Sequence, residues 1–327
     1  MPSALVIGGT RFIGRHTVVE LMEHGYTVTL LNRGNHENPF ADDDRVDHVV
    51  GDRRDDAAVE RAAEVASPDV VVDCVAMYPA DVETAVDVFA DVDAYVYVSS
   101  IGVYDHAHVL KYEDETPLVP CSPEQATDDS FASYGARKAE GDRIALAAAE
   151  EGVRSTSVRP TMVYGPQNYL GFVQYWIDRV TSEERVLVPG DGSYLAHRTY
   201  VEDVASAIRV VAEDGEAGEA YNVGDRRPLT VGQTIDLIGQ VSGTEAEPVF
   251  ASDRELERGG FSRHAFPLYM GEPFAASTEK LAALGWESTP IEVAMERTVE
   301  YYRSSGLVEP DVGPAVEDER AVIASLT

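Results

Sequence analysis

Residues 3–14 read SALVIGGTRFIG, an apolar run that passes directly into a glycine-rich turn and then into a segment of helical period. A continuous apolar run indicates a strand buried on both faces. A glycine-rich turn at the start of a helix offers free N–H groups and the positive end of the helix dipole to a pyrophosphate. The stretch therefore predicts the first strand, turn and helix of a dinucleotide-binding fold, the alternative being a structural turn without a ligand. The predicted cofactor contacts in this turn are Gly8, Gly9, Thr10, Arg11, Phe12, Ile13 and Gly14.

The same rhythm continues to about residue 160. Apolar runs at 26–31, 47–50, 70–75, 94–99 and 155–158 alternate with helical segments, the first of them at 16–24. Helices between buried strands make the strands parallel. The sequence thus predicts an α/β protein, a doubly wound parallel (Rossmann) sheet with a smaller C-terminal substrate domain.

The domain boundaries follow from where this rhythm weakens. We expect a dinucleotide-binding domain over residues 1–165, with 200–224 returning to it as a helix and a strand. Glycine, proline and aromatic residues accumulate in the remainder, so 166–199 and 225–327 are expected to form the substrate-binding domain. The tail from Gly306 is expected to pack loosely or to make an oligomer contact.

The charge balance excludes one class of function. The 327 residues include 58 Asp and Glu against 26 Lys and Arg, a formal net charge of -32. Such a surface repels phosphate backbones, so nucleic acid is an unlikely partner and a small-molecule substrate is expected. Only three of the basic residues are lysines, a composition typical of proteins from extreme halophiles, with an ordinary acidic protein as the alternative. The 44% hydrophobic content argues against disorder.

The sequence lacks the patterns typical of membrane-spanning, secreted and metal-binding proteins. No apolar run approaches the roughly 20 residues that span a bilayer, and no signal peptide opens the chain. We therefore expect a cytoplasmic protein without membrane contact. Cys74 and Cys121 lack metal-ligand spacing and the eight histidines are scattered, so no metal site is predicted.

The ends of the second and third strands bear on the choice of cofactor. Asn32 is uncharged where an NAD site would place a carboxylate, and Arg33 beside it can pair with a 2′-phosphate. The cofactor is therefore expected to be NAD(P), with NADP favoured over NAD, unless Arg33 is only a solvated loop residue. Asp52 can accept from the adenine amino group, with Arg53 next to it, although a turn-forming aspartate is an equal alternative.

Three polar residues point to proton transfer. Ser100 follows the strand at 94–99, and Tyr134 and Lys138 lie four apart, on one face of a helix. An ammonium group near a tyrosine lowers the pKa of the phenol, and a serine hydroxyl can hold the substrate oxygen. A chain with so few lysines has kept one here, where arginine would not release a proton. The alternative is an incidental Tyr/Lys pair on an exposed helix.

The matching stretches identify the chain as similar to the extended short-chain dehydrogenase/reductase superfamily, the NAD(P)-dependent epimerase/dehydratase group. They include the glycine turn, Asp52, the Ser-x-x-Val-Tyr and Tyr-x-x-x-Lys segments and 158–166, followed by 190–192, 200–205 and 280–286. By position, Ser100, Tyr134 and Lys138 correspond to the catalytic triad of that family. The resemblance implies hydride transfer between the nicotinamide and a substrate carbon, by an epimerase/dehydratase or a reductase. The substrate would be a sugar nucleotide or a related hydroxyl or carbonyl compound.

The resemblance also assigns further residues. Ala76 and Pro160 are expected cofactor contacts, and Tyr164 and Arg198 expected substrate contacts. Lys138 would also hold the nicotinamide ribose. Family members commonly pair through a four-helix interface, so a homodimer through the helix of Lys138 is expected.

Two departures from the family pattern keep other functions open. Arg11 replaces the middle glycine of the turn, where its guanidinium can contact a phosphate. Family members usually have an arginine that binds the substrate diphosphate, and the corresponding residue here is Ala196. Arg198, two residues further on, can take the place of that arginine. The GGTRFIG form is similar to a divergent branch that includes chloroplast stem-loop-binding proteins, so an RNA-binding or RNA-processing protein is the rival. A redox-sensing regulator that binds NADP without turnover is the third alternative.

Overall fold

Seven parallel strands form the central sheet of the computed structural model, which describes residues 1–305 and 312–326. The strands of the chain are β1 (Ser3–Ile7), β2 (Thr27–Asn32), β3 (Val46–Val50), β4 (Val70–Asp73), β5 (Ala94–Val98), β6 (Leu110–Lys111), β7 (Ser155–Pro160), β8 (Met162–Tyr164), β9 (Arg185–Pro189), β10 (Arg198–Tyr200), β11 (Ala220–Val223), β12 (Glu247–Ala251) and β13 (Ala275–Ala276). The helices are α1 (Phe12–Glu23), α2 (Asp56–Ala66), α3 (Pro79–Val88), α4 (Pro123–Thr127), α5 (Tyr134–Ala147), α6 (Phe172–Ser182), α7 (Val201–Asp214), α8 (Val231–Ser242), α9 (Asp253–Arg258), α10 (Glu279–Ala283), α11 (Ile291–Ser305) and α12 (Val316–Leu326).

The strand order of the sheet is β11-β7-β5-β4-β1-β2-β3, with every neighbouring pair parallel. The order reverses on either side of β1, which lies between β2 and β4. Ligands of such sheets bind outside the carboxyl ends of the strands at this reversal. The register places Ile7 beside Leu31 and Asp73, so the loops after these three strands open onto the same edge. The doubly wound parallel sheet predicted from the sequence is confirmed.

Apolar side chains on both faces explain why these strands form. All five residues of β5 and all four of β4 are buried. Helices α1 and α7 cover one face of the sheet, and α2, α3 and α5 cover the other. The predicted strand at 70–75 ends earlier, because the Asp73 carboxylate accepts hydrogen bonds from the N–H groups of Val75 and Ala76 and turns the chain.

A separate apolar core lies beyond the sheet. It is built from α6, α8, α11 and α12 around the buried Trp176, together with the parallel pair β9 and β12. The described part of the tail corrects the expectation of loose packing: Glu319 of α12 accepts hydrogen bonds from Arg179 Nε (2.7 Å) and the Tyr175 hydroxyl (2.8 Å). The start of the predicted loose segment, 306–311, lies outside the described residues. Among the described helices, none is both long and apolar enough to cross a membrane.

Candidate active site

The turn between β1 and α1 brings backbone N–H groups to the carboxyl edge of the sheet. Gly8 has a φ of 95°, a left-handed conformation that favours glycine. A side chain at Gly14 would overlap the carbonyl oxygen of Gly8, so this glycine lets α1 begin close to β1. Arg11 at the N-cap makes no side-chain capping bond, which leaves first-turn N–H groups available to an anion. The turn therefore fits the pyrophosphate of a dinucleotide.

The side chains of the turn point away from this cradle. The buried Phe12 ring packs edge-to-face on Tyr169, with ring centroids 6.1 Å apart, and Ile13 is half-buried between two apolar cores. The Arg11 guanidinium lies 3.9 Å from the Tyr169 ring centroid and 3.2 Å from Nε2 of His36. Arg11 and Tyr169 border a cavity of about 380 Å³, which also meets Thr10. In this structure Arg11 thus contacts an aromatic ring rather than lying along the turn.

The predicted adenosine contacts lie beside the turn at the ends of β2 and β3. The Asn32 side-chain Oδ1 accepts a hydrogen bond from the Gly34 N–H (2.9 Å) and lies 3.1 Å from His48 Nε2. Arg33 is exposed next to it. Asp52 is also exposed, and its carboxylate accepts the N–H group two residues further on at 3.0 Å. Asp52 therefore stabilises a turn, which is the alternative interpretation of this residue.

Arg53 departs from the expectation of a cofactor contact. Its side chain turns inward, is 7% exposed and forms an ion pair with Asp73. Its Nε lies 3.9 Å from a carboxylate oxygen of Asp81. Two buried carboxylates require a counterion, and Arg53 supplies it.

Ser100 and Tyr134 meet above the end of β5. Ser100 caps the 3₁₀ turn 101–103, where its Oγ accepts the Gly102 N–H at 3.1 Å. A Cβ atom added at Gly102 would lie 3.5 Å from the Ser100 Oγ and 3.8 Å from Cε1 of Tyr134, so both side chains border this glycine. A side chain at Gly135 would overlap the Gly102 carbonyl oxygen, so two glycines allow the start of α5 to approach the serine turn. The sequence analysis assigned no role to either glycine.

The pKa of Tyr134 is not lowered by Lys138, contrary to the expectation from the sequence. Burial raises its pKa above the ordinary value of 10, and a hydrogen bond with Ser100 opposes the rise. The other groups that act on this pKa are Tyr169 and Arg137. The Phe131 ring, 75% exposed, stacks on the Tyr134 ring at a centroid distance of 6.0 Å. The phenol is therefore protonated at neutral pH.

Lys138 is held by backbone carbonyl groups. Its Nζ donates hydrogen bonds to the carbonyl oxygens of Ala76 (2.9 Å) and Val98 (2.6 Å), and it lies 4.2 Å from the Tyr97 ring centroid. Burial lowers the pKa of Lys138 to about 8, and the charge of Asp73 is the largest opposing influence. The Ala76 side chain is buried, so this residue contributes its backbone. Pro160, at the end of β7, is also buried in the sheet.

Tyr164 and Arg198 depart from the expectation that they contact the substrate at an open surface. Tyr164 is fully buried and Arg198 is 2% exposed. They lie on the neighbouring strands β8 and β10, whose residues Tyr164 and Tyr200 belong to the second core. Arg198 Nε and Nη1 have no hydrogen-bond partner among the described residues.

Asp225 and His197 share this interior, and sequence reasoning assigned neither to it. Burial raises the pKa of Asp225 to about 7, against the opposing charge of Arg198. Burial lowers the pKa of His197 to about 4. The His197 Nδ1 accepts the Ala276 N–H at 3.0 Å, so its Nε2 carries the proton and donates to the Asp225 carbonyl at 2.7 Å. His197 is therefore a neutral residue of the core.

Arg137, between Tyr134 and Lys138 in sequence, is a polar residue that the sequence analysis overlooked. It is 3% exposed, and its guanidinium lies 4.9 Å from the Tyr78 ring centroid. Its Nε and Nη1 find no hydrogen-bond partner in the part of the chain that the structure describes. The same part contains no group of three or more His, Cys, Asp or Glu side chains that could hold a metal ion.

Comparison with known proteins agrees with this arrangement. The family model described as NAD dependent epimerase/dehydratase family matches residues 4–224. The chloroplast stem-loop binding protein of 41 kDa b from Arabidopsis thaliana is 28% identical over 297 residues, 86% of this chain and 74% of that protein. A low-salt glycan biosynthesis protein from Haloferax volcanii is 29% identical, over 91% of this chain and 97% of its own. The dTDP-glucose 4,6-dehydratase of Bacillus anthracis, solved in complex with NAD, has the same fold, with a TM-score of 0.73 at 22% identity over 93% of this chain and 97% of that one.

Proposed function

The chain belongs to the NAD-dependent epimerase/dehydratase family and is an NAD-dependent enzyme, and from this premise we propose that Tyr134 is its acid–base residue. The observation that carries the proposal is the convergence of Ser100 and Tyr134 at Gly102, on the sheet edge that also holds Lys138 and the glycine turn. A hydroxyl group placed between the serine and the tyrosine can lose its proton to the phenolate oxygen while the serine holds it in place.

The residues present fit the cofactor. The turn at 8–14 would hold the pyrophosphate with its backbone N–H groups, and Lys138 would hold the nicotinamide ribose. The bound cofactor would supply a hydride acceptor and donor next to the substrate carbon. Tyr134 takes or gives the proton on the substrate oxygen, and the positive charge of Lys138 favours the phenolate during this step. Ser100 keeps the substrate oxygen facing the phenol.

We propose that NADP is preferred over NAD. The exposed Arg33 can pair with a 2′-phosphate, and Asn32 presents no carboxylate that would repel it. The expected contacts of Ala76 and Pro160 with the cofactor are through their backbone, since both side chains are buried.

A sugar nucleotide, or a related hydroxyl or carbonyl compound, is the proposed substrate. Arg198 supports a diphosphate-bearing substrate, because its buried guanidinium has donors without partners among the described residues. Tyr164 would then help to form the floor of that site. For Arg198 to reach a ligand, the strand pair β8 and β10 must open toward the cleft.

The two domains are proposed to bind different ligands, with the domain boundaries predicted from the sequence. Residues 1–165 with 200–224 would bind the dinucleotide, and 166–199 with 225–327 would bind the substrate. A homodimer through the helix of Lys138 remains a prediction, as do a cytoplasmic location and a halophilic origin.

An RNA-binding function is the second candidate, because the Arabidopsis relative is a chloroplast stem-loop binding protein. The net charge of -32 opposes it. A substrate screen with dTDP-glucose and UDP-glucose, read by nicotinamide absorbance and by mass of the product, tests the enzyme. A gel-shift assay with a stem-loop RNA in the same buffer tests the rival. Turnover without an RNA shift supports our proposal, and tight RNA binding with a silent screen would replace it.

A further inference from the structure

Two buried carboxylates hold the loop that follows β4. Asp73 accepts hydrogen bonds from the N–H groups of Val75 (3.2 Å) and Ala76 (2.9 Å). Asp81, in the first turn of α3, accepts hydrogen bonds from the N–H groups of residues 77 and 78, at 2.8 and 3.0 Å. Four successive N–H groups are therefore fixed by two side chains, which sets the direction of the Ala76 carbonyl group.

Arg53 lies between these carboxylates. It forms an ion pair with Asp73, and its Nε lies 3.9 Å from Asp81. The side chains are almost completely buried, with relative exposures of 7% for Arg53, 0% for Asp73 and 7% for Asp81. Two carboxylates at such depth repel each other unless a cation separates them.

The other side of the loop holds Lys138, whose ammonium donates to the Ala76 carbonyl oxygen at 2.9 Å. We propose that Arg53 is a positioning residue for Lys138: it fixes Asp73 and Asp81, they fix the loop, and the loop carbonyl fixes the ammonium. The inference rests on the proposed role of Lys138. It assigns a structural role to Arg53 in place of the expected cofactor contact.

The charged groups around Lys138 make the effect of Arg53 measurable as a change in the Lys138 pKa. The groups that act on its ammonium are Asp73, the last residue of β4, with Cys74 next to it, Asp81 of α3 and Asp142 of α5. The Tyr97 ring of β5 packs against the ammonium. All the carboxylates favour the charged lysine, whereas burial disfavours it and lowers the pKa to about 8. Removing Arg53 leaves Asp73 and Asp81 unneutralised, so their pull on the lysine proton increases.

The small number of lysines permits a direct test. The chain has Lys111, Lys138 and Lys280, so protein labelled with ¹³C,¹⁵N-lysine gives three side-chain signals. Lys111 and Lys280 serve as internal controls, because they contact the Asp105 carbonyl and the Asp114 and Glu219 carboxylates. Titration of the cofactor-free protein reports the Lys138 pKa without any measurement of activity.

Opposite shifts are expected from two substitutions. Arg53→Gln should move the Lys138 titration upward by at least about half a pH unit, and Asp73→Asn should move it downward by a similar amount. Arg53→Lys should keep it near the wild-type position. Arg45→Gln, which removes an exposed partner of Asp43, is the matched control and should leave it unchanged.

An unchanged Lys138 titration in folded Arg53→Gln protein, or an upward move in Asp73→Asn, would overturn the inference. If Arg53→Gln does not fold, the Asp73→Asn and Arg53→Lys titrations decide. Arg53→Lys keeps the positive charge, so its titration separates the loss of charge from the loss of the arginine side chain. The outcome is separable from the proposed function, which fails only if turnover survives the loss of the Tyr134 hydroxyl.

Discussion

The Nζ atom of Lys138 donates a hydrogen bond to the backbone carbonyl oxygen of Ala76 at 2.9 Å. With a second carbonyl group at Val98, this contact holds the ammonium at the carboxyl edge of the sheet. The phenol of Tyr134 responds instead to Ser100, Tyr169 and Arg137. The lysine is thus held by backbone carbonyl groups, and Ser100 rather than Lys138 acts on the pKa of the tyrosine.

The pH dependence of turnover should reflect Lys138. Burial lowers its pKa to about 8, so the ammonium is present below that pH and is lost above it. Cofactor affinity and turnover should therefore fall as the pH rises through about 8. Lys138→Arg keeps its charge at high pH, so the residual turnover of this variant should lack the fall. A fall at the same pH in both proteins would contradict the assignment.

Gly135→Ala should separate the two hydroxyl groups of the site. The new Cβ would overlap the Gly102 carbonyl oxygen and push the start of α5 away from the serine turn. Because misplacement of about 1 Å can cost about 100-fold, we expect turnover to fall at least that far while NAD affinity changes little. Steady-state kinetics and calorimetry measure the two effects. Equal turnover in the variant would show that the close approach is not required.

His197 should make the stability of the fold depend on pH. Burial lowers its pKa to about 4, below the ordinary value of 6.5. A depressed folded-state pKa contributes stability above about pH 6.5 that is lost as the pH falls through about 4. Between about pH 7 and pH 4 this residue should account for about 3 kcal/mol of the lost free energy of unfolding.

His197→Gln should remove that component, because glutamine can still donate to the Asp225 carbonyl and accept from the Ala276 N–H. Urea unfolding of both proteins at the two pH values measures it. The same pH sensitivity in both would assign the effect to other groups.

Cofactor preference should depend on Arg33. If its guanidinium pairs with the 2′-phosphate, Arg33→Gln should weaken NADP binding by about tenfold, corresponding to a charge-assisted contact of about 1.5 kcal/mol, and leave NAD binding unchanged. Calorimetry in molar salt gives both affinities. NAD binding at least as tightly as NADP in the wild-type protein would refute the preference.

The central sheet could be predicted from the sequence because local patterns determine it. Continuous apolar runs mark strands covered on both faces, and the glycine turn marks the first crossover. The role of Arg53 could not be predicted, since its ion-pair partner Asp73 lies 20 residues away on another strand. The same holds for Gly102 and Gly135, which meet only when α5 packs against the serine turn.

Each of the three lysines of this chain has specific contacts in the structure. The scarcity of lysine drew attention to Lys138, but the structure also gives specific partners to the other two lysines. Lys280 joins Asp114 and Glu219, and Lys111 is buried at a backbone carbonyl group. The composition alone therefore does not distinguish the lysine of the proposed site from the two lysines with other contacts.

Turnover of a sugar nucleotide by wild-type and Tyr134→Phe proteins, with NAD affinity measured in parallel, tests the central claim most directly. Phenylalanine keeps the ring but removes the proton-transferring hydroxyl, so we expect turnover to fall by about 100- to 10,000-fold while NAD binds nearly as before. Wild-type turnover of dTDP-glucose or UDP-glucose that survives unchanged in Tyr134→Phe would contradict the account.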